Sequence, residues 1–242
     1  MPARALATRL LPLLDLTLLG EDDTPAAIEA LCASARAAPL PPAAVCVYPE
    51  HVTTARRALR ATPVRVATVV NFPDGGEDAD RVARETRRAL AAGADEIDLV
   101  FAWRAFLRGD AALARTAVAA ARQVCAGATL KLILETGELR TPGAIRAASE
   151  LGIGAGVDFL KTSTGKAAVN ATPEAASVML DAIAAAGGRC GFKAAGGVRT
   201  LAQAATYLEL AQARLGDGWI DAAHFRIGAS ALFDTLTIAM DA

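Results

Sequence analysis

Eight short runs of apolar, β-prone residues recur along the chain, and longer Ala- and Arg-rich stretches separate them. The runs are residues 13–16, 43–48, 64–70, 96–101, 129–135, 159–163, 191–195 and 225–228. Between them, residues 79–92 and 111–126 repeat their apolar positions with the 3.6-residue period of a helix. Strands that alternate with helices pair in parallel. Eight such units in 242 residues predict a closed (β/α)8 TIM barrel forming one α/β domain over residues 1–242. The competing open doubly wound sheet is disfavoured, because no G-x-G-x-x-G follows an early strand. Thr24-Pro25, Thr141-Pro142 and Thr172-Pro173-Glu174 read as helix starts, with a capping Thr and Pro at the first helical position. Gly93, Gly152 and Gly187 fall where helices are expected to end.

Charge and cysteine usage exclude several classes of function. The chain carries 25 basic and 26 acidic residues, a net charge of −1. That leaves no electrostatic footprint for nucleic acid and no run of like charge for a membrane surface. No stretch approaches the ~18 uninterrupted apolar residues that a membrane span needs. Residues 1–19 superficially resemble a leader peptide, but Asp15 interrupts the apolar run and no small-residue cleavage site follows. They read as a short helix and the first strand. Cys32, Cys46, Cys125 and Cys190 are widely spaced and form no C-x-x-C pair, which argues against a zinc site or a disulfide framework. Reduced thiols and a cytoplasmic location are the expectation.

The basic residues are 21 arginines and four lysines, Lys131, Lys161, Lys166 and Lys193. Arginine supplies positive charge almost everywhere, while the lysines fall in apolar runs or Gly-rich turns. An arginine cannot lose its proton, whereas a buried lysine can become a neutral amine. Polar residues also sit in the strands or at their ends: Asp15, Thr17, Cys46, Asn71, Asp98, Glu135, Lys161, Lys193 and, after the eighth strand, Ser230. In a barrel of this kind the C-terminal rim of the strands is where catalytic groups gather.

Lys161 follows Phe159 and Leu160 on a buried strand, a position that favours the neutral amine and so attack on a carbonyl. Lys193, in Gly191-Phe192-Lys193, brings a second buried lysine whose charge opposes protonation of the first. Asp98 alternates with Ile97 and Leu99, which points it into the barrel, where a carboxylate is costly unless paired. Each has a blander alternative: a lysine reaching solvent or paired with Asp158 for Lys161, a phosphate or carboxylate partner for Lys193, a plain ion pair for Asp98. Gly165-Lys166, Gly196-Gly197-Val198-Arg199 and Gly228-Ala229-Ser230 are late Gly-bearing turns of the kind that hold a phosphate on backbone N–H groups.

The string DFLKTSTGKAAVNATPE, residues 158–174, resembles the Schiff-base strand of the deoxyribose-phosphate aldolase family. The resemblance extends in order through LLDLTLLGEDDT, VCVYP, VVNFPDG, GADEIDLVF, LILETGEL, GFKAAGGVRT and FRIGAS, nearly the whole chain. It implies a class I aldolase on a (β/α)8 barrel that needs no metal or other cofactor. Such an enzyme reversibly cleaves 2-deoxy-D-ribose 5-phosphate to acetaldehyde and D-glyceraldehyde 3-phosphate, its small-molecule partners. By the same resemblance Lys161 is the Schiff-base nucleophile, Lys193 tunes it and aids proton transfer, and Asp98 is the acid/base partner acting with water. Gly165, Lys166, Gly196, Gly197 and Ser230 match phosphate-loop positions. Asp15 and Thr17 match residues near the substrate hydroxyls, and Cys46 belongs to the substrate-binding set. Members are often dimers, which leaves a homodimer open.

Departures from the family pattern are also present. Lys193-Ala194-Ala195-Gly196-Gly197 stands where relatives read Lys-Pro-Ala-Gly-Gly or Lys-Ala-Ser-Gly-Gly. Ala231 replaces the second Ser of Gly-Ala-Ser-Ser. The tyrosines are Tyr48 and Tyr207, so no tail tyrosine is expected to assist proton transfer. The altered phosphate loop keeps a second aldolase reading open, on another sugar phosphate or a non-phosphorylated aldehyde. A non-catalytic sugar-phosphate sensor is the third reading, and the trio of Lys161, Lys193 and Asp98 argues against it, because a binder needs no neutral lysine.

Overall fold

The computed structural model describes residues 2–241. Its eight strands are β1 (Leu14–Thr17), β2 (Ala44–Val47), β3 (Arg65–Val70), β4 (Glu96–Val100), β5 (Thr129–Ile133), β6 (Phe159–Lys161), β7 (Gly191–Ala195) and β8 (Phe225–Ala229). They pair in parallel in sequence order, and β8 closes on β1. This is the (β/α)8 barrel that the alternation predicts, with every strand boundary within two residues of its expected place.

The helices are α1 (Ala3–Leu10), α2 (Pro25–Ala37), α3 (Val52–Ala58), α4 (Ala79–Ala91), α5 (Trp103–Leu107), α6 (Ala111–Val124), α7 (Thr136–Leu139), α8 (Pro142–Gly154), α9 (Pro173–Ala185), α10 (Leu201–Leu215) and α11 (Leu232–Asp241). Three exceed the eight expected. Helix α1 is the short opening helix read in residues 1–19, and it packs on α11. Helices α5 and α7 have five and four residues, too few to show a period. No helix among the described residues is long and apolar enough to cross a membrane.

Helix boundaries follow the chemistry of their ends. Thr24, Thr141 and Thr172 each accept a hydrogen bond from the N–H three residues on, at 3.2, 3.2 and 3.1 Å. Each cap satisfies an orphan donor at the start of α2, α8 or α9, worth about 1 kcal/mol. Gly93 and Gly187 follow α4 and α9 with positive φ. Gly152 does not end a helix as expected; it lies inside α8. A Cβ there would meet Leu132 Cδ2 at 2.8 Å and Leu160 Cδ2 at 3.0 Å. The glycine serves close packing of α8 on β5 and β6.

Because side chains alternate along a strand, each strand has an outward and an inward set. Leu14, Leu16, Val45, Val47, Val66, Ile97, Leu99, Leu130, Leu132, Leu160, Phe192, Phe225 and Ile227 point outward and join the core beneath the helices. Inside the barrel, Ala44, Cys46, Ala67 and Val69 of β2 and β3 form a small apolar wall. Seven charged side chains also point inward, among apolar neighbours such as Val100, Ile133 and Phe159: Asp15 on β1, Glu96 and Asp98 on β4, Lys131 on β5, Lys161 on β6, Lys193 on β7 and Arg226 on β8. Most barrels fill this space with branched apolar residues. Charges buried there persist only when paired and hydrogen-bonded.

Candidate active site

Strand register brings the interior charges together. Asp98 sits beside Lys131 across the β4–β5 pair, Lys161 beside Lys193 across β6–β7, and Lys193 beside Arg226 across β7–β8. Asp98 is the hub. Its Oδ1 accepts from Lys131 Nζ at 2.8 Å, and its Oδ2 accepts from both Lys161 Nζ and Lys193 Nζ at 2.8 Å. Lys193 Nζ also donates to Asp15 at 2.5 Å, and Arg226 donates to Asp15 at 2.6 Å and to Glu96 at 3.1 Å. Lys131 bonds Glu96 as well. Asp158 is not the partner of Lys161; it pairs with Arg122 at the foot of the barrel.

Burial and these contacts set the protonation of each group. Burial pushes the Lys161 amine below the ordinary lysine value, and the Lys193 ammonium pushes it further down, while Asp98 and, more weakly, Cys46 pull it back without reversing the shift. Burial opposes charge on Lys131 and Lys193 too, but their carboxylates outweigh it, and both sit above the ordinary value. Burial alone would raise Asp98 and Asp15. The facing lysines and Arg226 prevail, and both carboxyls lie below the usual range. Burial raises the Cys46 thiol, which keeps it neutral. Three amines therefore share one region, and one of them is driven toward its neutral form.

Lys161 is 3% exposed, and its side chain reaches a cavity of about 330 Å³ at the C-terminal rim of the barrel. Thr17, Gly165, Lys166, Gly196, Gly197 and Ser230 line the same cavity, together with Arg199 and Ala231. Gly165, Gly196 and Gly197 have φ of 86°, 92° and 86°. At Gly196 a Cβ would also strike Asn170 Cβ at 2.7 Å, so the turn requires glycine. Lys166 Nζ donates to Leu19 O at 2.8 Å and ties the turn after β6 to the loop after β1. Asp15 and Cys46 do not line the cavity: both are fully buried beneath it, Asp15 bonded to Lys193 and Arg226, Cys46 in the apolar wall.

Sequence reasoning gave no role to Glu96, Lys131 or Arg226. The signal for them was available, since each is a charge inside an apolar β run at an inward position. Glu135, noted only as a strand end, accepts from Thr164 N at 3.3 Å and Thr164 Oγ1 at 2.5 Å and so holds the turn that follows Lys161. Asn71 is structural: its side chain bonds Gly76 and Val100 around the turn after β3. Gly228 makes room for the network, because a Cβ there would lie 2.8 Å from Lys193 Cε. With Lys193 pinned by two carboxylates, Gly228→Ala is expected to cost about 1–3 kcal/mol of stability as overpacking. Urea unfolding checks it, and an unchanged midpoint would mean that Lys193 moves freely.

The fold and the lysine-bearing cavity together define an enzyme of the barrel aldolase class. The chain belongs to the DeoC/LacD family of aldolases, whose family model matches residues 9–236. Among solved structures it is similar to an apo-form Toxoplasma gondii chain assigned as a deoxyribose-phosphate aldolase. The two are 28% identical with a TM-score of 0.91, over 99% of this chain and 97% of that one. A Coccidioides immitis chain with the same assignment is 30% identical with a TM-score of 0.82, over 96% of this chain and 85% of that one. The deoxyribose phosphate aldolase of Aeropyrum pernix, described as tetrameric, is 23% identical with a TM-score of 0.76, over 97% and 90%, and shares the fold.

Proposed function

We propose that this chain is a class I aldolase that reversibly cleaves 2-deoxy-D-ribose 5-phosphate to acetaldehyde and D-glyceraldehyde 3-phosphate. The observation that carries the reading is the position of Lys161. It is the one interior lysine that lines the rim cavity, and it is the one whose amine is pushed toward the neutral form. A neutral amine is the species that attacks an aldehyde.

The Lys161 lone pair adds to the aldehyde carbon of the open-chain sugar, and loss of water leaves an iminium. The bond between the second and third sugar carbons then breaks. Its electron pair becomes the enamine double bond, and the third carbon departs as the aldehyde of the phosphorylated product once its hydroxyl proton is lost. Protonation of the enamine and hydrolysis release acetaldehyde and the free amine. In this reading Lys193 stays charged and keeps Lys161 neutral. Asp98, ionised and 2.8 Å from both amines, anchors the iminium and passes protons between them and water. The Gly165–Lys166 and Gly196–Gly197 turns with Ser230 hold the phosphate, and Thr17 meets a sugar hydroxyl. Asp15 acts through Lys193, to which it is bonded, and Cys46 bounds the space below the cavity.

Ala231 on the cavity lining bears on the second reading, a substrate without phosphate. A hydrogen bond to a charged group is worth ~1.5–3 kcal/mol. Ala231→Ser is therefore expected to lower KM for 2-deoxyribose 5-phosphate about tenfold or more and to leave 2-deoxyribose almost untouched. Steady-state turnover of the two sugars by both proteins tests the reading. A strong preference for the phosphorylated sugar is expected. Equal kcat/KM for the two would remove the phosphate site, and no turnover of either would remove the reaction.

A further inference from the structure

The buried charges have a count that bears on Lys161, and the inference drawn from it rests on the Schiff-base reading above. Three carboxylates lie inside the barrel, Asp15, Glu96 and Asp98, and three cations other than Lys161 face them, Lys131, Lys193 and Arg226. Each of those three cations has two or more carboxylate partners. Lys161 has one, Asp98 Oδ2, and shares that oxygen with Lys193. The interior is thus electrically balanced when Lys161 is neutral and carries one excess positive charge when it is an ammonium. In a region removed from water an uncompensated charge is strongly disfavoured.

We propose that Arg226 is a positioning residue of the reaction: its fixed charge at the foot of the barrel completes this balance and thereby holds the distant Lys161 amine neutral. Arg226 lies off the rim cavity. It opens instead on a hollow at the opposite end, beside Arg65, Glu96 and Phe159. Its guanidinium bonds Asp15 and Glu96 and stands 5.6 Å over the Phe159 ring. It touches none of the groups that meet substrate, and a guanidinium cannot surrender its proton to relieve an imbalance. Without Arg226, three carboxylates face two cations, and the amine of Lys161 supplies the missing charge by taking up a proton.

The other groups around Lys161 leave the count unchanged. From β2 it meets Cys46, a neutral thiol, and β3 offers Ala67 and Val69. Glu135, after β5, is a further buried carboxyl facing Lys161: burial raises it above its ordinary value while Thr164 and Lys161 pull it back, and it lies at the rim away from Arg226, so its contribution is the same with and without Arg226. Arg65 stands 3.8 Å from Glu96, but its side chain is half exposed, so water screens it. The same balance acts during turnover. The iminium is the one state with excess charge inside the barrel. Breaking the carbon–carbon bond moves its electron pair into the enamine and brings the C=N pair to rest on nitrogen, which restores neutrality.

The test is the pH dependence of borohydride trapping of acetaldehyde on Lys161, read by peptide mass, in the wild type, Arg226→Met, Arg226→Lys and the double variant Arg226→Met/Glu96→Gln. Arg226→Met is expected to raise the midpoint by about one pH unit or more, cutting trapping at pH 7 roughly tenfold, with recovery at higher pH. Arg226→Lys keeps the charge and is expected to restore the wild-type midpoint. The double variant removes one charge of each sign and is expected to restore it too, and it decides the matter if the single variant fails to fold. Wild-type midpoints in Arg226→Met, or a double variant shifted upward, would overturn the inference. Absence of label on Lys161 in the wild type at every pH would instead overturn the Schiff-base reading.

Discussion

Lys161→Met is expected to lose carbon–carbon cleavage by a factor on the order of 10⁴ or more, the scale seen when a covalent nucleophile is removed. The fold should survive. Methionine has a similar volume, Asp98 keeps Lys131 and Lys193 as donors, and the buried charges stay balanced. A volume-conserving change of this kind costs less than about 1.5 kcal/mol. Lys161→Arg should be equally inactive but less stable, because it forces a permanent extra cation into a balanced interior. An uncompensated buried charge costs about 3–5 kcal/mol. Activity assays with thermal unfolding of both variants check the pair. Retained turnover in Lys161→Met would remove the amine from the mechanism, and equal stability of the two variants would remove the balance.

Lys193→Leu carries the second large effect. Lys193 Nζ lies between Asp15 at 2.5 Å and Asp98 at 2.8 Å, and its charge is one of the forces that depress Lys161. The sign follows directly. Removing a cation raises the Lys161 pKa, so a larger fraction of the amine is protonated at pH 7 and the nucleophile is depleted. A lysine at its ordinary value is neutral in only about one molecule in several thousand at pH 7. The loss of activity is therefore expected to reach ~10³-fold at pH 7 and to shrink steadily toward pH 10, because the nucleophile itself remains. The pH profile of kcat/KM in wild type and variant checks it. A parallel loss at all pH values would make Lys193 a direct proton donor, not a charge that tunes its neighbour.

The fold was legible because its signals are local. A β-prone run of five residues, a Thr-Pro start and a 3.6-residue period each act within one element. The eight strands of the closed barrel follow from their alternation with helices. Gly152 was misread because the same residue that ends a helix also lets one pack closely, and only the distance to Leu132 and Leu160 separates the two. The site was legible where polarity fell at a strand end or beside a Gly-bearing turn, as with Lys161, Lys193 and Ser230. Glu96 and Lys131 are followed by no such turn, Arg226 lies toward the foot of its strand, and the meaning of all three depends on which neighbours the barrel closure supplies. Arg226 reaches Asp15 across 211 positions of sequence. No pattern within a single strand encodes that pairing. Asp15 matches a family position near the substrate hydroxyls, and closure of β8 on β1 sets it below the cavity against Lys193 and Arg226, a placement no local pattern encodes.

The most direct test of the account is reduction of the protein with borohydride in the presence of acetaldehyde, followed by peptide mass mapping. The account predicts one added ethyl group per chain, on the peptide that carries Lys161, lost in Lys161→Met. Label on Lys131, Lys166 or Lys193 in place of Lys161, or no label at all, would contradict it.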